Sequence, residues 1–505
     1  MNNITFQDYP KEPVDLDNLP VPFMKNARFV PLSTDGNVLF IAMANPGDNN
    51  TIDALKLAYD MDVEVNLGKE EEILETIERL YGAGTQSMEM IIEEAGKNLY
   101  EIVPEGEEDA NHLRDLASEA PIIRLVNRLI LNAVEQRASD IHFEPFEDEF
   151  KVRYRIDGVL HGAESPPRRL QAAVISRVKI MAKLDIAERR LPQDGRIKLK
   201  IGDKEIDFRI STLPTIFGES LVMRILDRDT LVLDLTKLGF PGDILEKYNT
   251  LVSQPYGMIL VTGPTGSGKT STLYTTLAKI NSPENKIITL EEPVEYQLGG
   301  VNQIQVKPKI GMTFASGLRS IVRQDPDIIL VGEIRDKETA DIAIQSALTG
   351  HLLFSTLHTN DAAGAVTRLL DMGVETFLLS STLLGVLAQR LVRVICPHCK
   401  EPTVPDDKLL NTMDIDFEAA DRIVFYMGRG CEACRHTGFI GRTAIFEYLT
   451  VEDDIRKEIL KRSSTEQIKE AAMSKGMLTL RQDGWRKVLD GITTIQEVLR
   501  VTLER

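Results

Sequence analysis

Gly263-Pro264-Thr265-Gly266-Ser267-Gly268-Lys269-Thr270 fits the pattern G-x-x-x-x-G-K-[ST] and constrains the fold more than any other feature of the chain. Met258-Ile259-Leu260-Val261-Thr262 runs apolar directly before it, as a strand buried on both faces of a parallel sheet does. Ser271-Thr272-Leu273-Tyr274 continues after it as the start of a helix. A strand, a glycine loop and a helix in that order turn backbone N–H groups inward. They also aim a helix N-terminus at an anion. The expected ligand is ATP with Mg²⁺. Residues Gly263 to Ser271 would cradle the phosphates, Lys269 would reach the β- and γ-phosphates, and the Thr270 hydroxyl would ligate the magnesium.

A second apolar run, Ile328-Ile329-Leu330-Val331, leads into Gly332-Glu333. Open α/β sheets bind ligands beyond the carboxyl ends of their strands. Glu333 is therefore expected to polarise the attacking water or hold the metal shell. The plainer alternative is a surface glutamate capping the next segment. Between the two runs, Ile287-Ile288-Thr289-Leu290 precedes Glu291, Glu292 and Glu295. Three carboxylates so close fit a metal and water shell, or a solvated loop. Further on, His351 and His358 flank the apolar stretch Leu352 to Leu357. Alone they read as structural histidines; beside a nucleotide they are candidates for sensing the γ-phosphate.

All four cysteines fall in two C-x-x-C pairs, Cys396/Cys399 and Cys431/Cys434, with 31 residues between the pairs. That spacing predicts one tetrahedral Zn²⁺ held by four thiolates, a closed structural site. A redox pair would need one C-x-x-C at a helix start rather than two. His398 is a spare donor beside a shell already filled.

The net charge of −18 is concentrated at one end. Residues 1–119 carry 25 of the 77 acidic and 8 of the 59 basic residues, a net of −17, which leaves −1 for the rest. Nucleic-acid binding needs clustered Lys and Arg, so that class is not expected. An acidic front module either docks on a basic protein surface or merely solubilises the chain. No stretch reaches the roughly 18 unbroken apolar residues that span a bilayer. Phe377 to Ala388 is the nearest and reads as a buried helix. Met1-Asn2-Asn3-Ile4 lacks the basic-then-apolar pattern of a signal peptide. The expected location is the cytoplasm.

Periodicity divides the chain into an acidic α/β module (1–100), an acidic linker (101–119), an α+β module (120–230) and an α/β domain (239–505) whose residues 390–445 hold the cysteines. Leu39 to Met43 is strand-like, and Glu71 to Leu80 is helical. Pro121 opens a helix with Ile122, Leu125, Val126, Leu129, Ile130 and Ala133 on one face. Phe150, Val152, Tyr154 and Ile156 alternate with basic residues before Asp157-Gly158, a hairpin pattern. Ile206, Phe208 and Ile210 alternate again, with Asp207 and Arg209 on the opposite face.

From about residue 115 onward the chain resembles the type II/type IV secretion ATPase superfamily. The resemblance rests on Ala138-Ser139-Asp140-Ile141-His142, Arg190-Leu191-Pro192-Gln193-Asp194-Gly195-Arg196, the phosphate loop, Arg323-Gln324-Asp325-Pro326-Asp327, Gly332-Glu333-Ile334-Arg335-Asp336, the histidine segment and the paired C-x-x-C. Within the superfamily it is most similar to the type II secretion branch, the general secretion pathway E proteins. The alternative branch is the type IV pilus extension ATPases. The resemblance implies a RecA-like phosphate-loop domain preceded by a PAS-like α+β module. It implies a homo-hexamer with the nucleotide between that domain and that module. It also implies Arg209 and Arg224 facing the phosphates, with Arg319 and Arg323 on the phosphate-loop domain. The implied partner is the cytoplasmic domain of an inner-membrane secretion-platform protein, met through residues 1–100. The implied location is peripheral, at the inner membrane of a Gram-negative-type bacterium. The family's acidic box usually reads Glu-Asp-Pro, and here Glu291-Glu292-Pro293 carries one extra methylene at its second position. The front module lacks the Arg-Leu-Gly opening that relatives use for cyclic-di-GMP, so that ligand is not expected.

Overall fold

The structure is a computed structural model and describes residues 9–10, 14, 16, 19, 21–36, 38–59, 61–81, 110–201, 203–227, 234–405, 409, 412–413 and 423–503. The chain divides into two compact units, Met1–Leu226 and Asp227–Arg505.

The first unit opens with α1 (Val21–Ala27), β1 (Phe29–Asp35), β2 (Val38–Met43), α2 (Asn49–Tyr59), β3 (Asp62–Leu67) and α3 (Glu70–Tyr81). Its three strands lie in the order β1-β2-β3, β1 antiparallel and β3 parallel to β2. Leu39 and Ile41 of β2 and Ile73 and Ile77 of α3 are buried in one core, as their two periodicities require.

Next come α4 (Ala110–Ser118), α5 (Ala120–Glu135), β4 (Asp140–Pro145), β5 (Phe150–Ile156), β6 (Val159–Gly162), α6 (Gln171–Met181), β7 (Gln193–Ile201), β8 (Lys204–Thr215) and β9 (Gly218–Asp227). Of the segment read as a linker, residues 101–109 lie outside the described residues. Ala110–Ser118 is helical instead: Leu116 packs against the same core as α5, and Ala117 is fully buried. Pro121 stands in the first turn of α5, and all six residues of the expected apolar face are buried. The six strands run β6-β5-β4-β9-β8-β7. Asp157 and Gly158 both have positive φ, 48° and 85°, which matches the turn twist to the β5–β6 hairpin.

The second unit contains α7 (Gly242–Val252), β10 (Gly257–Thr262), α8 (Lys269–Ile280), β11 (Ile287–Glu291), β12 (Val301–Gln305), α9 (Phe314–Ile321), β13 (Ile328–Val331), α10 (Lys337–Leu348) and β14 (Leu352–Leu357). It continues with α11 (Ala362–Asp371), α12 (Thr376–Thr382), β15 (Leu383–Ile395), β16 (Lys400–Thr403), β17 (Phe425–Gly428) and β18 (Phe439–Thr450). Four helices close it: α13 (Asp453–Leu460), α14 (Thr465–Ser474), α15 (Leu480–Leu489) and α16 (Ile495–Thr502). The seven-stranded sheet runs β12-β11-β13-β14-β10-β15-β18. Every pairing is parallel except β15 with β18. β10 lies between β14 and β15, and all six of its residues are buried.

Phe377 to Ala388 is not one buried helix. The helix stops at Thr382, Phe377 is 68% exposed, and Leu383 begins a 13-residue strand. A continuous apolar run suits a buried helix or a doubly buried strand equally. Backbone pairing with β10 on one side and β18 on the other decides it here. Among the described residues, no helix is long and apolar enough to cross a membrane.

Candidate nucleotide site and metal centre

β10 delivers the chain into the phosphate loop at Gly263, whose φ is +146°. A Cβ there would lie 2.5 Å from the Gln389 carbonyl and 2.7 Å from Ser267 Oγ, so only glycine fits. Lys269, the first residue of α8, is buried, and its Nζ donates to the carbonyls of Gly263 (2.7 Å) and Pro264 (3.1 Å). Ser267 Oγ is buried with no hydrogen-bond partner among the described residues. No side chain caps the N-terminus of α8. An orphan hydroxyl and uncapped helix N–H groups around a buried ammonium are the donors an anion requires. Thr270 follows Lys269 and is exposed. Burial draws the Lys269 ammonium down to about 8; Glu333 opposes this, and Arg390 adds to it.

Glu333 stands just past β13, on backbone pinned from both sides. Gly332 N–H donates to the Leu290 carbonyl at 2.7 Å, and Thr356 Oγ1 donates to the Gly332 carbonyl at 2.6 Å. Its carboxylate accepts from Arg335 Nη2 at 2.5 Å and lies 3.4 Å from His358 Nε2. Arg335 also reaches Glu292 at 3.3 Å. Glu292, Glu333, Arg335 and His358 thus form one cluster beyond the carboxyl ends of β11, β13 and β14.

The three carboxylates near Glu291 do not share one shell. Glu291 is the last residue of β11, and its side chain is buried. It accepts from the Tyr274 hydroxyl, from Thr289 Oγ1 at 2.6 Å and from Gln303 Nε2 at 3.2 Å. Burial and then the Glu291 charge push the Tyr274 phenol well above its ordinary range. The Glu295 backbone N–H also donates to that phenol, at 3.3 Å. Glu291 therefore braces the sheet interior while Glu292 joins Arg335.

The two histidines part as well. His351 precedes β14, where its Nδ1 meets the Ser346 carbonyl at 2.8 Å and Thr349 Oγ1 at 3.2 Å. His358 follows the same strand. At about 3.3 Å per residue, the strand sets the two rings on the order of 20 Å apart. Only His358 is brought to Glu333.

Arg209 and Arg224 lie on β8 and β9 of the first unit. Arg209 is opposite Arg196 in register, and Arg224 Nε donates to Asp140 Oδ1 at 3.0 Å. Arg319 pairs with Glu338 at 2.5 Å, and Arg323 donates to the Arg319 carbonyl at 2.8 Å.

The four cysteine sulfurs lie within 4.8 Å of one another. Cys396–Cys431 are 3.8 Å apart, and Cys399–Cys434 and Cys431–Cys434 are each 3.7 Å apart. A tetrahedron with Zn–S bonds of about 2.3 Å has edges of about 3.8 Å, whereas a disulfide needs about 2.05 Å. The donor set and its spacing fit zinc. Backbone N–H groups of Gly430, Cys431 and Gly438 point at the sulfurs of Cys399 and Cys434. Burial opposes ionisation of Cys434, yet the N–H bonds from Cys431 and Gly438 bring it to about 6.

Residues 115–500 match the family described as Type II/IV secretion system protein. The chain belongs to that family. This secretion-family protein also matches the MshEN domain over residues 4–87, the acidic front module. It is 52% identical over 488 residues to the type II secretion system protein E of Xanthomonas campestris, covering 97% of this chain and 85% of that one. It is 45% identical over 498 residues to the type IV pilus assembly ATPase PilB of Myxococcus xanthus, covering 98% and 88%. Among solved structures, the pilus retraction motor PilT with bound ADP aligns with a TM-score of 0.51 at 27% identity, over 74% of this chain and 96% of that one. DotB of Legionella pneumophila, at 20% identity and a TM-score of 0.54, shares the fold. The secretion-family chain is thus an ATPase, with ATP and Mg²⁺ as its cofactors and a four-cysteine centre that suits zinc.

Two residues of the site escaped the motif reading of this secretion ATPase. Gln389 and Arg390 of β15 sit against the phosphate loop: Thr272 Oγ1 donates to Gln389 Oε1 at 2.8 Å, and the Gln389 carbonyl abuts Gly263. The available signal was a Gln-Arg pair inside an otherwise apolar run.

Proposed function

We propose that this chain is the motor ATPase of a type II secretion system, hydrolysing ATP to drive pseudopilus assembly and protein export. The observation that carries the reading is Glu333, paired with Arg335 and facing His358 beyond the carboxyl ends of the sheet, in a chain whose phosphate loop holds a buried Lys269. Loop N–H groups and Lys269 would hold the phosphates. Glu333 would orient the attacking water and accept its proton, with His358 and Arg335 fixing the carboxylate. Thr270 and the Glu333 side would hold Mg²⁺, which when bound neutralises charge on the phosphoryl oxygens. Arg209, Arg224, Arg319 and Arg323 stay candidates through the family pattern alone.

The secretion branch is favoured over pilus extension by 52% against 45% identity at near-equal coverage. We further place the chain as a cytoplasmic homo-hexamer, held at the inner membrane by a platform protein that meets residues 1–100. Pull-down of the full chain against cytoplasmic domains of secretion and of pilus platform proteins tests the branch. Capture by the pilus partner alone would overturn it. Deleting residues 1–100 should leave ATP binding intact and abolish recruitment to membranes that carry the partner. A truncated protein that still co-sediments would show that the acidic module only solubilises.

A further inference from the structure

Arg390 is a buried guanidinium in the middle of an apolar strand. It is 9% exposed, and no ion pair reaches it among the described residues. Its Nη1 donates to the Gln389 carbonyl at 3.1 Å, and Nη2 donates to the Asn360 carbonyl at 2.9 Å and to Asn360 Oδ1 at 3.2 Å. The opposite charges that act on it are Glu447 and Asp361, neither of which forms an ion pair with it. Glu447 is engaged with the N–H groups of Ala362 (2.8 Å) and Leu480 (3.4 Å). A buried cation bound only by neutral oxygens is costly unless a counter-charge arrives. A Cβ on Gly263 would lie 3.1 Å from Arg390 Nη1, so the charge borders the phosphate loop itself.

The second contact of the same fork is the loop that carries His358. Thr262, the last residue of β10, fastens one side of that loop: the Thr359 N–H donates to its Oγ1 at 2.9 Å. Arg390 fastens the other side through Asn360. His358 is thereby suspended beside two anchors, one on the strand that enters the phosphate loop and one beneath its first glycine.

We propose that Arg390 is a positioning residue for ATP hydrolysis: it ties the 358–360 loop to β15 beneath the phosphate loop and so holds His358 beside Glu333. The inference rests on the ATPase reading and on His358 acting at Glu333. A lysine keeps the charge but loses the planar fork that spans both Asn360 oxygens.

The test is a double-mutant cycle on the full chain, with kcat and KM for ATP as readouts. Arg390→Gln should lower kcat by about tenfold or more while KM stays within about threefold. His358→Ala should cost about as much in the parent, yet less than about twofold on top of Arg390→Gln. Losses that multiply, or a kcat within about twofold of the parent, overturn the proposal. If Arg390→Gln does not fold, Arg390→Lys decides. It should keep KM and the thermal transition but lose kcat, and full kcat would overturn the proposal. Lys269→Ala serves as the separate control: if ATP turnover survives it, the ATPase reading itself fails rather than the role of Arg390.

Discussion

His358 Nε2 lies 3.4 Å from Oε2 of Glu333, while Arg335 holds the other carboxylate oxygen at 2.5 Å. Arg335 donates to one oxygen of the carboxylate and the His358 ring nitrogen stands beside the other, so the group that would act as base is held in place. Glu333→Gln keeps the shape and removes the base. ATP binding should persist while turnover falls at least about 100-fold. If binding weakens instead and the rate per bound ATP holds, Glu333 is structural.

The two histidines should behave differently. His358→Ala is expected to cost turnover about tenfold or more, whereas His351→Ala should change it less than about threefold. The latter loses the turn contacts at Ser346 and Thr349, worth about 1 kcal/mol of stability. Equal kinetic losses would contradict the separation along β14.

Burial brings Lys269 to about 8, so the protein without nucleotide releases this proton as pH rises through that value. Bound phosphates favour the charged ammonium and raise its pKa. ATP binding near pH 8 should therefore take up roughly half a proton, and affinity should fall as pH climbs further. Calorimetry in buffers of different ionisation heat reads the uptake, and Lys269→Gln should abolish it. A binding heat independent of the buffer would refute the depressed lysine.

Metal analysis of purified protein should find one zinc per chain. Cys396→Ser opens the sulfur tetrahedron and should lower thermal stability without directly altering nucleotide binding. Protein free of zinc, or a Cys396–Cys399 disulfide in freshly prepared material, would reject the centre.

Glu497 is buried, which opposes ionisation, but Arg500 and Arg393 outweigh burial and hold it at about 2. Its folded-state value lies below the unfolded one. The stabilisation is therefore full above about pH 4.5 and disappears as pH falls toward 2. Glu497→Gln should cost about 3 kcal/mol at neutral pH, with the gap to the parent closing in acid. Parallel unfolding curves at pH 7 and pH 3 would rule this out.

Local chemistry was legible residue by residue. The phosphate loop, the strand before it and the helix after it follow from one short motif and the apolar run that leads into it. The cysteine spacing anticipated four sulfurs at tetrahedral distances. The amphipathic face of Ile122 to Ala133 and the Asp157-Gly158 turn also read directly, because periodicity and turn chemistry act within a few residues.

Strand order is another matter. That β15 lies beside β10 was decided by pairing between segments far apart in the chain, Met258–Thr262 with Leu383–Ala388, which no local pattern encodes. That pairing turned Leu383 to Ala388 from helix into strand and set Arg390 beneath Gly263. Strand direction sent His351 and His358 to opposite ends of the sheet, and side-chain packing committed Glu291 to Tyr274 rather than to the carboxylates beside it. The sequence by itself determined which chemistry the chain carries. Only the tertiary structure decided which of those groups meet, because their meeting depends on register and layer packing across the whole sheet.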